Sequence, residues 1–450
     1  MSDLRELAKM LEELDDQMVS CMKCGMCQAV CPVFAETGKE SDVTRGKIAL
    51  VDDLAHEMIE DPEGVKESLN KCLLCGSCAA NCPSGVNVME IFLKARAVVN
   101  GYLGLSPAKK AVFRQMLTRP GLFNTLIDLA AKVQNLFTKP VGGAQGTSCA
   151  RFKIPGLEDR HFKGIEKKPF HKRIDMPYQS EGDAGVKVLF FPGCVLDKVF
   201  PRVAAATLDV LEHHGVSVVI PDGLACCGIP ALSSGDAEGF NKLVGINMKV
   251  FDKYEYDYIV TACATCSATL HEFWHKYADQ LSEDTKAKAA AAAEKTLDVS
   301  AFLVDVMNIE LPERDSGGPM VTWHDPCHLK KSLGVAEQPR KVLKGCPVDF
   351  VEMAEADRCC GSGGSFTFYH YDVSKKIGDR KAENIEASNA QVVATGCPAC
   401  MMQLNDALSR HGTEVEIKHV MEIYADVLKT GAAEKTAQQE KAETEAEAGA

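Results

Sequence analysis

Residues 21–32 read CMKCGMCQAVCP and residues 72–83 read CLLCGSCAANCP, the same C-x2-C-x2-C-x3-C-P run repeated at a constant offset of 51 residues (Cys21 to Cys72, Cys31 to Cys82). Iron held tetrahedrally among sulfides needs one protein thiolate per iron, so a 4Fe–4S cubane takes four. A tight run of this kind aims its first three cysteines at one cube and sends the fourth to the other. The spacing therefore predicts two centres: Cys21, Cys24, Cys27 and Cys82 for the first, Cys72, Cys75, Cys78 and Cys31 for the second. Gly25 and Gly76 stand where the chain must turn sharply between ligands, and Pro32 and Pro83 restrict the backbone after the last one. Zinc also accepts four thiolates, but it does not call for two crossed runs with trailing prolines.

The rest of the composition agrees with metal binding. Twenty cysteines in 450 residues, opening MSDLRELAKM with no apolar leader, read as thiolates kept reduced in a cytoplasmic setting and not as a secreted disulfide scaffold. No run of eighteen apolar residues occurs, so any membrane attachment is expected to be peripheral or through a partner. The net charge of -13 argues against nucleic acid as a partner. Between the runs, RGKIALVDDLAHEMIE (45–60) has helical apolar spacing. Arg45 and Lys47 either ease reduction of a nearby cluster or form surface salt bridges.

Residues 103–185 read as a linker. PAKKAVFRQMLTRPGLFNTLIDLAAKVQNLFTKP (107–140) predicts two amphipathic helices parted at Pro120-Gly121, with an apolar face suited to a core, a partner subunit or a membrane interface. VGGAQGTSC and the stretch to residue 185 read as irregular connection, and Cys149 as no ligand.

A second repeat follows. FFPGC (190–194), ACCG (225–228) and TACATC (261–266) return as WHDPC (323–327), RCCGSGG (358–364) and TGCPAC (395–400). Cys194, Cys226 and Cys227 are offset by 133 from Cys327, Cys359 and Cys360; Cys263 and Cys266 are offset by 134 from Cys397 and Cys400. Five thiols keeping register make this an internal duplication. Strands and helices alternate around them, and each cysteine group falls at the carboxyl end of a predicted parallel strand, where open α/β sheets gather their sites. Five thiols per copy exceed the four of a cubane, leaving open a spare thiol, one that supports the ligands without binding metal, a redox partner, a cluster of unusual shape or structural zinc. His324, Asp325 and His328 flank Cys327, for proton handling or for loop hydrogen bonds, and the first copy has neither histidine. Cys346 has no counterpart and is not expected to be a ligand. KAKAAAAAEKTLDVSAFLVDVM (286–307) predicts a helix leading into an amphipathic segment, and the tail from Gly431 a disordered or frayed end.

The expected architecture is α+β overall: a helical two-cluster ferredoxin domain (1–102), the linker (103–185), two tandem α/β cysteine-rich modules (186–310 and 311–430) and the tail (431–450). With CxxCGxCxxxCP, RGKI at 45–48, CLxCxxCxxxCPSGV at 72–86, DRCCGSGGSF at 357–366 and IKHVMEIYADVL at 417–428, the chain resembles the iron–sulfur subunits of glycolate oxidase and D-lactate dehydrogenase. Its modules also resemble those of heterodisulfide reductase and of the cysteine-rich component of anaerobic glycerol-3-phosphate dehydrogenase. The resemblance implies an electron-transfer subunit that oxidises no substrate itself. It would take electrons from an FAD-containing dehydrogenase subunit and pass them to a quinone or other respiratory acceptor, at the inner face of the cell membrane. The absence of a G-x-G-x-x-G fingerprint fits that division of labour, since hydride chemistry needs a flavin or nicotinamide, and no residue is read as catalytic. Both C-terminal CxxC pairs are complete, whereas the glycolate-type pattern can lack one. The full set is closer to heterodisulfide reductase, whose modules hold noncubane clusters and cleave disulfides, which leaves one or two further clusters of either kind.

Overall fold

The computed structural model describes residues 4–152, 159–311 and 317–430; the expectation for the tail lies outside the described residues. The N-terminal unit is helical. Helices Leu4–Glu12, Thr44–Ala55, Pro62–Asn70 and Val88–Leu103 bury Leu7, Leu11, Ile48, Val51, Leu69, Ile91 and Phe92 in one core. Local chemistry sets their ends: the Asp61 carboxylate accepts from Gly64 N–H at 2.9 Å with Pro62 in the first turn, an N-cap that satisfies an otherwise orphaned donor. The linker does carry two helical stretches, Pro107–Met116 and Pro120–Phe137, on either side of Pro120. It is not wholly irregular beyond them. Strands β1 (Thr138–Pro140) and β2 (Ser148–Ala150) pair antiparallel, and β3 (Tyr178–Ser180) joins the sheet that follows.

The duplication read from cysteine spacing appears as duplicated topology. The first module has β4 (Lys187–Phe190), β5 (Ser217–Ile220), β6 (Tyr258–Thr261) and β7 (Thr296–Asp298); the second has β8 (Met320–His324), β9 (Asp349–Val351), β10 (Val392–Thr395) and β11 (Glu416–His419). Their orders, β5-β4-β6-β7 and β9-β8-β10-β11, match strand for strand and are parallel throughout, with β3 added antiparallel on the outside of β5. Central strands are continuous buried runs such as Ser217–Ile220 and Val392–Thr395, as expected of parallel strands covered on both faces. The segment 286–307 departs from expectation. Its alanine-rich helix ends at Glu294, and the chain then extends into β7 before turning helical again at Val299. Three residues show no periodicity of their own; pairing with β6 makes them a strand.

Candidate iron–sulfur centres

Both N-terminal runs fold into the same loop. Lys23 and Leu74, each just before the second cysteine of its run, adopt left-handed φ of 54° and 52°, and Gly25 and Gly76 follow at 86° and 71°. Each glycine opens a short helix, Met26–Val30 or Ser77–Ala80, that carries the third cysteine. The fourth cysteine of each run crosses over. Cys21, Cys24, Cys27 and Cys82 line one cavity of ≈ 380 Å³. Cys31, Cys72, Cys75 and Cys78 line a second of ≈ 420 Å³, and Thr44, Cys78 and Val88 border both.

The second cavity is flanked by cations. Lys47 is buried, with its ammonium donating to the Ser41 carbonyl at 2.9 Å, so it is no surface salt bridge. Arg96, also buried, donates to the carbonyls of Leu69 and Cys72. Arg45 does pair with Glu40, while also reaching the Lys23 carbonyl at 3.3 Å beside the first site. Burial, opposed by the Phe34 N–H and reinforced by Cys75 and Cys72, pushes the Cys31 thiol up to about 12. Burial likewise raises Cys72, against the pull of Arg96 and Lys47. Thiols so placed ionise readily only when a metal replaces the proton.

In the C-terminal half the five thiols of each copy converge. Cys194 Sγ lies 3.9 Å from Cys226 Sγ; Cys227 is within hydrogen-bonding reach of Cys226 and Cys266, and Cys266 of Cys263. In the second copy Cys327, Cys359, Cys360, Cys400 and Cys397 follow one another in the same way. Glycine lets the backbone close in. Gly193 has φ 71°, and a Cβ there would sit 2.9 Å from Cys266 Sγ. Cys226, Cys227, Cys263, Cys266, Cys359, Cys360, Cys397 and Cys400 are all buried, and none of the twenty cysteines forms a disulfide. Cys149 lies on β2, and the Cys346 thiol donates to the Val342 carbonyl at 3.3 Å.

Spacing did not reveal that these sites touch. Cys263 of the first module is within hydrogen-bonding reach of Cys397 of the second. Across the same seam Ala264 N–H donates to the Gly396 carbonyl at 3.1 Å, and His328 Nδ1 meets Thr265 Oγ1 at 3.3 Å. At the other end Cys75 of the N-terminal unit reaches both Cys327 and Cys359, inside an apolar cluster of Val33, Leu73, Phe366 and Ile377. Lys331 spans that junction, its ammonium donating to Ser77 Oγ at 2.6 Å and to the Asp357 carbonyl at 2.8 Å. Lys381 is buried beside Cys360, Cys327 and Cys359. Sequence reasoning singled out Arg45 and Lys47 but not Arg96, Lys331 or Lys381. The signal that could have found them was a lone cation on a helix face whose neighbours are apolar, as Arg96 is among Phe92, Ala95 and Val99. Asp325 serves its loop, accepting from Trp323 Nε1 at 2.7 Å and from both Arg340 terminal nitrogens at 2.8 and 2.9 Å.

Convergent buried thiols, positive-φ glycines and nearby cations all suit iron–sulfur groups, and the donor set fits them. Known proteins agree. The 4Fe-4S dicluster domain family matches residues 17–86, and the Cysteine-rich domain family matches 188–271 and 321–405. A probable glycolate oxidase iron-sulfur subunit of Bacillus subtilis is 30% identical over 94% of this chain and 96% of its own. A component of the fumarate reductase (CoM/CoB) of Methanothermobacter marburgensis is 30% identical over 90% of this chain and 71% of its own. Lactate utilization protein A of a Geobacillus species is 31% identical over 53% of this chain and 98% of its own.

Proposed function

The chain belongs to the cysteine-rich iron–sulfur electron-transfer subunits of 2-hydroxyacid-dehydrogenase-type complexes, and on that premise we propose that it carries electrons from an FAD-containing glycolate or D-lactate dehydrogenase subunit to a quinone or other respiratory acceptor. When bound, iron–sulfur groups supply one-electron carriers that a polypeptide lacks. Cys21, Cys24, Cys27 and Cys82 hold the first 4Fe–4S cluster, and Cys31, Cys72, Cys75 and Cys78 the second. Each five-thiol set of the modules (186–310 and 311–430) holds one further group.

The observation that carries this reading is the placement of Cys75 beside Cys327 and Cys359. With Cys263 near Cys397, it makes a succession of neighbouring thiols from the ferredoxin unit (1–102) to Cys194. Lys47, Arg96, Lys331 and Lys381 offset the negative charge that reduction adds, and Val33, Leu73, Phe366 and Ile377 keep water from the junction.

Among the described residues no helix is long and apolar enough to cross a membrane. The connecting segment (103–185) offers a peripheral face instead. Leu122, Leu126, Leu129, Leu136 and Phe137 of helix Pro120–Phe137 are exposed, with Arg119, Lys132 and Lys139 beside them. We place this face on the cytoplasmic side of the cell membrane, near a lipid-soluble acceptor.

Anaerobic co-purification with the FAD subunit tests the relay: glycolate or D-lactate should bleach the visible absorbance of the complex, and glycerol 3-phosphate should not. A second reading, a heterodisulfide-type reductase, is favoured by the complete five-thiol sets meeting at Cys263 and Cys397. Rapid cleavage of a heterodisulfide by the reduced chain, with no response to hydroxyacids, would replace the first reading with the second.

A further inference from the structure

The two C-terminal sites share their thiols but not their surroundings. His324, at the end of β8, is fully buried, and neither ring nitrogen makes a hydrogen bond of ordinary geometry, the Cys360 thiol alone coming within reach. One nitrogen lies within 4.8 Å of the sulfurs of Cys360 and Cys400. A neutral imidazole always carries one N–H, and leaving a buried donor unpaired is destabilising. At the 133-residue offset the first module has Phe191, equally buried. One site thus has a polar donor where its twin has a ring.

We propose that His324 is a redox-tuning residue whose ring N–H donates a hydrogen bond to a sulfur of the iron–sulfur group held by the second module, making that group the more readily reduced of the C-terminal pair. The thiols present already exceed a cubane's need, and the first module builds its set without a nitrogen. A donor role therefore fits better than ligation. Donation to sulfur stabilises the state with the extra electron, and hydrogen bonds to cluster sulfurs are an established determinant of potential. One electron enters the group, and no bond at His324 is made or broken.

The inference rests on the reading that the second module holds such a group. The test is an anaerobic potentiometric titration of the full chain followed by paramagnetic resonance, with iron and sulfide assayed in each sample. His324→Phe, which copies the first module, should lower the reduction equilibrium constant of one C-terminal signal about tenfold, or ~59 mV for one electron, and leave the others in place. His324→Asn, which keeps an N–H donor, should recover most of that shift. Histidine labelled with nitrogen-15 should give a weak coupling in the wild-type signal. An unchanged potential in a fully loaded His324→Phe protein, or a coupling as large as that of an iron-bound imidazole, would overturn the donor role alone. Wild-type protein with no iron or sulfide beyond the two N-terminal clusters would overturn the reading beneath it.

Discussion

Arg96 is where the ferredoxin unit is tied both to its own second cysteine run and to the first module. Its guanidinium, 5% exposed, donates to the carbonyls of Leu69 at 2.5 Å, Cys72 at 2.8 Å and Ser233 at 2.7 Å. Asn100, one turn on, adds a bond to Ser234 at 3.1 Å. Arg96→Met keeps the length of the stem and removes all three bonds. The Leu69 carbonyl retains backbone donors from Lys71 and Cys72, so the uncompensated loss falls on Cys72 and Ser233, at about 1–3 kcal/mol each. Removing a buried charge returns part of its desolvation penalty, which leaves a net loss of about 3 kcal/mol, roughly a hundredfold in the folded-to-unfolded ratio. The chain has several domains and a single two-state analysis does not apply. The measurement is anaerobic urea unfolding, read by visible absorbance for the cluster loops and by far-ultraviolet circular dichroism for the whole chain. The visible transition should move to lower urea while the C-terminal transition moves little. Arg96→Lys, which keeps the charge but loses the planar fork, should fall between the two. A change below about 0.5 kcal/mol in the visible transition would show that these carbonyls find other partners, and the reasoning would fail.

Other expectations follow from the same geometry. Cys75→Ser should remove the second N-terminal cluster and also alter the resonance signal of the second module, because Cys75 lies beside Cys327 and Cys359; an unaltered module signal would contradict that placement. Gly193→Ala asks for left-handed backbone and puts a methyl 2.9 Å from Cys266 Sγ, so metal analysis should show the first module's iron lost and the second's retained. Burial pushes the Asp298 carboxyl up to about 7 despite the Ser300 N–H at 2.8 Å. The folded chain then holds a proton that the unfolded chain has released, and stability falls as pH rises from about 4 to about 7, by about 4 kcal/mol in all. Asp298→Asn should flatten the profile of urea midpoints between about pH 4 and pH 7, and an unchanged slope would assign the pH dependence to another group.

The cysteine spacings pointed to the two crossed four-thiol sets, the two five-thiol sets and the duplication, and the alternation of strand and helix patterns to its α/β class, because ligand geometry within a loop and register between repeats are local properties. Strands β7 and β11 escaped notice, since neither runs into a cysteine group that marks its end, and each is completed only by pairing with β6 or β10. Tertiary structure alone decided the order in which the sites meet. Cys75 reaches Cys327 because Val33 and Leu73 bury themselves against Phe366 and Ile377, and Cys263 reaches Cys397 because two sheets from distant parts of the chain present the carboxyl ends of their strands to one seam. His324 shows the same limit: its position beside Cys327 was visible in the sequence, but only packing could show that one of its ring nitrogens lies within 4.8 Å of the sulfurs of Cys360 and Cys400.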